Sequence, residues 1–221
     1  MRTMPKQKKE TITERLKKAK IKDVPLLNER PRETKDVNLT QITDHFSEKS
    51  MVLEFSIQVE PMAKKRVRVY SRGGKVHGVN PSKEDEEVIK RLLLEIPDIP
   101  KQPIARAAML GMRFYRSVPK SLRKRDRPFV VTEQYRPVKR PDLDNFIKLF
   151  KDAATGILWE DDNLIVGYLP GTGKYYTLEE PRIEIQLVTL GSDFKEVYQQ
   201  LLQKEIERIN DLYSSLKDFL D

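Results

Sequence analysis

The chain has 221 residues, a net charge of +8 and a pI near 9.4. That is length enough for a real hydrophobic core, and basic charge enough to favour a polyanionic partner without deciding the fold. It contains no cysteine, which excludes disulfides, thiolate zinc sites and cysteine nucleophiles and fits a reducing cytoplasm. No apolar run approaches the roughly 20 residues that cross a bilayer, and no apolar segment follows the basic start MRTMPKQKKE, so neither a membrane span nor a signal peptide is expected.

Residues 1–50 read as a basic, partly flexible extension. Thr11 and Glu14 fit a capping box, and Ile12, Leu16 and Ala19 form a thin apolar stripe among lysines. Residues 24–49 have little periodicity, so a short helix followed by mobile chain, ordered by a partner, is expected there. The core begins at Met51. From Leu53 to Glu60 apolar and polar residues alternate, as in a strand with one buried face. Basic residues then crowd a turn (Lys64, Lys65, Arg66, Arg68), and Gly73-Gly74 predicts a hairpin or loop. Ser82 is placed to cap a helix running to about Ile96, with Val88, Ile89, Leu92 and Leu93 facing inward.

Leu110, Met112 and Phe114 alternate in a second strand, residues 117–127 form a basic loop, and Phe129–Arg136 is expected as a third strand. A helix is predicted from Asn145 to about Thr155, stopped by Gly156. Leu164–Leu169 and Ile183–Leu190 read as the last two strands, joined by a loop through Gly171 and Gly173. The grouping of strands with interspersed helices predicts an α+β fold with a mixed or antiparallel sheet. Residues 191–221 form an amphipathic helix whose seam is Leu202, Ile206, Ile209, Tyr213, Leu216 and Leu220, a seam that packs either on the chain's own core or on a second copy.

Carboxylates gathered on a basic chain need a physical reason, and a divalent metal supplies one. Asp142 and Asp144 lie two apart, so in an extended segment they point the same way. In the plainer reading Asp144 caps the following helix and Asp142 is a loop acid. Lys148 lies one turn beyond Asp144 on the same helix face, and Asp152 one turn further. The turn Glu160-Asp161-Asp162 brings more acid back from the helix end. Mg²⁺ accepts such oxygen ligands and needs no histidine, of which the chain has 2. The segment Gly171–Lys174 lacks the spacing of a phosphate-binding loop and reads as a turn.

The run Arg140-Pro-Asp-Leu-Asp-Asn-Phe-Ile-Lys148, with Asp152-Ala153, Gly156, Asp161-Asp162, the basic turn from Pro61 to Arg68 and the alternating strand Arg182–Leu187, resembles the RusA-type Holliday-junction resolvases over residues 51–190. That resemblance implies a homodimer of mixed α/β fold, active in DNA recombination and repair in a bacterial or phage-infected cell. It implies paired nicking of four-way junctions with Mg²⁺, or Mn²⁺ in its place, through metal-activated water. It implies Asp142, Asp144 and Asp162 as metal ligands, with Asp161 as the alternative in its pair, and Lys148 as the catalytic lysine. Lys64, Lys65, Arg66, Arg68, Arg123, Lys124, Arg125, Lys139 and Arg140 are candidates for holding the DNA. Pro141 stands where a basic residue can occur in the family, and the tails 1–50 and 191–221 lie outside the resemblance, available to a replication or recombination partner. Two other readings stay open: a non-catalytic DNA-binding accessory protein, and a nuclease of the same fold acting on flaps, forks or RNA.

Overall fold

A ten-residue strand with nearly every side chain covered, β4 (Ala108–Ser117), is the axis of the molecule. The computed structural model describes residues 48–220 apart from 67, 73, 74 and 98, so the helix expected near Thr11 and the chain up to 47 lie outside the described residues. Around β4 come, in chain order, β1 (Val52–Ile57), β2 (Arg68–Arg72), β3 (Lys75–Val79), α1 (Lys83–Leu94), α2 (Arg127–Val131), α3 (Leu143–Ala154), β5 (Ile165–Tyr168), β6 (Gly173–Thr177), β7 (Arg182–Thr189) and α4 (Phe194–Leu220). Single 3₁₀ turns stand at Lys124–Asp126 and Asp162–Leu164.

β7 lies between β1 and β4 and is antiparallel to both, with Phe55 opposite Ile185 on one side and Met112 opposite Ile185 on the other. The far edge of β4 is shared by two short parallel strands in succession, β5 along Ala108–Leu110 and β6 along Arg113–Ser117. The sheet is therefore mixed, and the fold is α+β as the grouping of elements predicts. β2 and β3 form a separate antiparallel ribbon in which Arg72 faces Lys75, the hairpin expected at the glycine pair. Among the described residues no helix is long and apolar enough to cross a membrane.

One face of the sheet carries the main core. Leu53, Ile57, Leu110, Met112, Phe114, Ile183, Ile185 and Leu187 point into it, and α1 and α3 close it with Ile89, Leu93, Phe146, Phe150 and Ala153. Phe114 meets Phe146 at 5.3 Å between ring centres, and Trp159 is fully buried against Phe150, its indole N–H donating to the Thr155 hydroxyl at 3.2 Å. Ser82 occupies the position before α1 but does not cap it with its side chain. Its hydroxyl instead accepts from the Lys65 amide at 2.7 Å.

Three expectations are corrected. Phe129–Arg136 is not a strand. Pro128 falls in the first turn of a helix, where its fixed φ suits the helix and its missing N–H is not needed. The helix then ends where Glu133 turns left-handed at φ 58°. The loop expected between the last two strands contains β6. Gly171, with φ 82°, makes the turn, but Gly173 opens a strand in which Tyr175 and Thr177 are buried. Finally, the seam of α4 is not what holds that helix to the core. Phe194, Val197, Tyr198 and Leu201 pack on Leu169 and Val188, while Leu202, Ile206, Ile209 and Tyr213 stay exposed.

Charge fastens α4 where apolar packing ends. Arg208 grips the Glu133 carboxylate with two N–H groups, at 2.8 and 2.9 Å, and also reaches Glu205 at 2.9 Å. Glu205 in turn accepts from Arg113 on β4, and the Tyr115 hydroxyl donates to Glu133 at 2.7 Å. Burial pushes the Glu133 carboxyl up, but the hydrogen bonds from Arg208 and Tyr115 outweigh it and hold the group below the ordinary carboxylate range. Gly171 sits against this network: a Cβ there would come within 2.6 Å of both the Arg113 guanidinium and the Glu205 carboxylate.

Candidate active site

The chain reaches the acidic motif through a cis Arg140–Pro141 peptide and then starts α3. Asp142, not Asp144, holds the N-cap position. Its backbone is extended, its carbonyl accepts from the Asn145 amide at 3.2 Å, and its carboxylate makes no capping bond. Asp144 stands in the first turn, where the helix dipole favours an acid. The two carboxylates therefore do not share one extended segment. α3 buries Phe146, Ile147, Leu149, Phe150, Ala153 and Ala154, and that pattern forces Asp144 and Lys148 together onto its exposed face. Among the described residues Asp142, Asp144 and Lys148 make no side-chain hydrogen bond or ion pair.

Beyond α3 the left-handed Gly156 turns the chain, with its amide donating to the Trp159 carbonyl at 2.7 Å. Buried Trp159 and the backbone pairing of Ile104 with Glu160 then fix the second acidic turn. The adjacent acids diverge in role. Asp161 accepts from the Asn163 amide at 2.8 Å and caps the 3₁₀ turn. Asp162 lines a cleft of about 820 Å³ together with Asp144, Lys148 and Lys151 of α3, facing the turn Tyr168–Thr172 that separates β5 from β6. Lys151, mostly buried, holds Asp162 at 3.3 Å. Lys151 was not singled out from sequence, although it lies one turn beyond Lys148 and the helical period places it on the same face.

The cleft has room for a phosphodiester and its waters. Its donors are the carboxylates of Asp144 and Asp162, with Asp142 at the neighbouring N-cap. The expected trio of ligands is not gathered: among the described residues no three Asp, Glu or His side chains converge closely enough to share one ion. Mg²⁺ commonly takes only one or two carboxylates and keeps several waters, so the oxygen donors of the cleft fit that ion.

The basic candidates separate by environment. Lys64 is turned inward, its ammonium shared between Glu86 and Asp152, the latter at 2.6 Å. Burial alone draws the Lys64 ammonium down, but the hydrogen bonds of Asp152 and Glu86 leave it above its ordinary range. Lys64 is thus an internal tie to the far end of α3, engaged by Asp152 and Glu86. Lys65 pairs with Asp85 at 2.7 Å but remains more than half exposed. Arg123 and Arg125 flank Asp126 at 2.9 and 3.7 Å, with both guanidinium groups largely in solvent. Arg66, Lys124, Lys139 and Arg140 are exposed, and the Arg68 side chain lies outside the described residues.

Residues 58–188, more than half of the chain, match the family described as Endodeoxyribonuclease RusA. A Bacillus subtilis (strain 168) protein, described as "Uncharacterized protein YqaN", is 31% identical over 137 residues, covering 61% of this chain and 94% of that protein.

Proposed function

Because the chain belongs to the RusA endodeoxyribonuclease family, we propose that it is a divalent-metal-dependent nuclease that resolves four-way DNA junctions by paired nicks. The observation that carries the site assignment is one cleft in which Asp144 and Lys148, without a hydrogen bond or ion pair among the described residues, face Asp162 and Lys151. Asp144 and Asp162, with Asp142 beside them, would hold Mg²⁺ or Mn²⁺, which when bound lowers the pKa of water and neutralises phosphate oxygens. Lys148 places a positive charge over the same space and stabilises charge developing on the scissile phosphate. Lys151 offsets the charge of Asp162 and fixes its direction. Exposed Lys139 and Arg140 immediately precede the acids and take the flanking backbone phosphates. A homodimer places two such clefts on symmetry-related strands, the arrangement that paired nicking requires.

The test is a labelled four-way junction beside a linear duplex, a flap and a fork, each with Mg²⁺ or with EDTA. Symmetric Mg²⁺-dependent nicks in the junction are expected, and Asp142→Asn is expected to abolish cutting while junction binding persists. Normal cutting by D142N would remove the site assignment. Cutting confined to flaps or forks would keep the nuclease and reject the junction.

A further inference from the structure

We propose that Lys174 is a positioning residue for the acidic motif, holding the backbone that leads into Asp142 at the N-cap beside the cleft. Lys174 lies on β6, in a segment that reads from sequence as a plain turn. Its ammonium donates to the carbonyl of Pro141 at 2.9 Å and to that of Lys139 at 3.3 Å. Among the described residues it pairs with no carboxylate, although an ammonium with a carboxylate in reach gains more from that charge than from a neutral carbonyl. Pro141 is the residue before Asp142. One end of Asp142 is thus fixed by the first turn of α3 and the other by Lys174.

The next two residues of β6 hold the same loop. The Arg136 guanidinium lies over the Tyr175 ring at 3.8 Å, and the Tyr135 and Tyr176 rings meet at 5.8 Å. β6 is itself hydrogen-bonded along β4 from Arg113 to Ser117. Residues 133–142 have no helix or strand of their own, so this borrowed rigidity holds the chain that enters Asp142 from its N-terminal side. A reacting group displaced by an ångström can lose about a hundredfold in rate.

The kinetic arm of the test rests on the nuclease reading and the exchange arm does not. Lys174→Met is compared with wild type and with K174R by thermal melting, by hydrogen exchange of the peptide spanning 140–148, whose Asn145 amide donates to the Asp142 carbonyl, and by steady-state cleavage of the junction. K174M is expected to melt like wild type and to exchange about tenfold faster in that peptide alone. Its kcat is expected to fall about ten- to a hundredfold at unchanged KM. K174R, with N–H groups enough for both carbonyls, is expected to recover both. If K174M melts early, K174A carries the same comparison. Unaltered exchange in that peptide overturns the proposal, and a rise in KM with unaltered exchange makes Lys174 a DNA contact instead. A wild-type protein that cuts no DNA defeats the nuclease reading while exchange still decides the role of Lys174.

Discussion

Asp161 and Asp162 share a charge and a neighbour, yet one ties the chain to itself and the other faces open space. Asp161 accepts the Asn163 amide, so its removal costs the turn a cap. Asp162 lines the cleft with Lys151 beside it, so its removal costs the cleft an oxygen donor. Asp161→Ala is expected to lower stability by about 1 kcal/mol and to leave cleavage within roughly threefold, since it touches nothing that reacts. Asp162→Asn is expected to reduce Mg²⁺-dependent cleavage about a hundredfold or more at little change in melting temperature. Junction cleavage rates set beside melting curves for the two variants decide it. Equal losses of activity would mean that the turn, rather than one side chain, is what the cleft needs.

At the scale of elements, α4 is bound to the sheet by a small apolar contact and then by charge, and the charge makes that attachment sensitive to acid. The Glu133 carboxyl is held below its ordinary value in the folded protein, so it binds its proton more readily in the unfolded chain. The stability it contributes is therefore present above the unfolded carboxyl value of 4.5 and is lost as pH falls through the lower folded value. Glu133→Gln is expected to cost about 2–3 kcal/mol near neutral pH, because it leaves the Arg208 guanidinium short of a partner. It is also expected to flatten the acid limb of stability, measured as thermal melts from about pH 3 to pH 7. A variant that loses stability with the same slope as wild type would place the acid sensitivity elsewhere. The same elements explain what could be foreseen. β1 and β7 were legible because each buries one face over most of its length and alternates accordingly, β4, covered on both faces, because Leu110, Met112 and Phe114 alternate with Gly111 and Arg113 in sequence, and Asp144 and Lys148 because a helix puts them one turn apart. α2 was not, since Val130, Val131 and Thr132 favour a strand in isolation and only Pro128 hints otherwise. β6 was hidden by Gly171 before it and Gly173 at its start. The inward turn of Lys64 and the reach of Lys174 to Pro141 were hidden more deeply, for each joins residues far apart in sequence, and a charged side chain looks alike whether it meets solvent, a carboxylate or a carbonyl.

For the whole molecule, the question is what covers the exposed face of α4. The helix has 27 residues, and among the described ones the apolar contact to the core lies in the first turns, from Phe194 to Leu201. Leu202, Ile206, Ile209 and Tyr213 follow at steps of four and three, each between 39% and 50% exposed, and Leu216 and Leu220 continue the spacing in sequence. A row with that spacing matches the knobs and holes of another helix of the same period. A second copy of α4, laid antiparallel about a two-fold axis, offers the same row in return. The flanks raise no objection: Gln203 and Asn210 on one side are neutral, and on the other Leu212 is apolar while Glu205 is already engaged by Arg113 and Arg208. Ile206→Glu would then put two carboxylates into the shared seam. Losing two buried isoleucines weakens the dimer by roughly 3–6 kcal/mol, a hundredfold or more in dissociation constant. Sedimentation should find dimers for wild type and monomers for I206E at the same micromolar concentration. The variant should still nick junctions singly while losing the coupling of the two cuts. An I206E protein that sediments as a dimer would move the interface off α4, and a monomeric wild type that nonetheless makes paired nicks would show that two clefts need not be joined before they meet the junction.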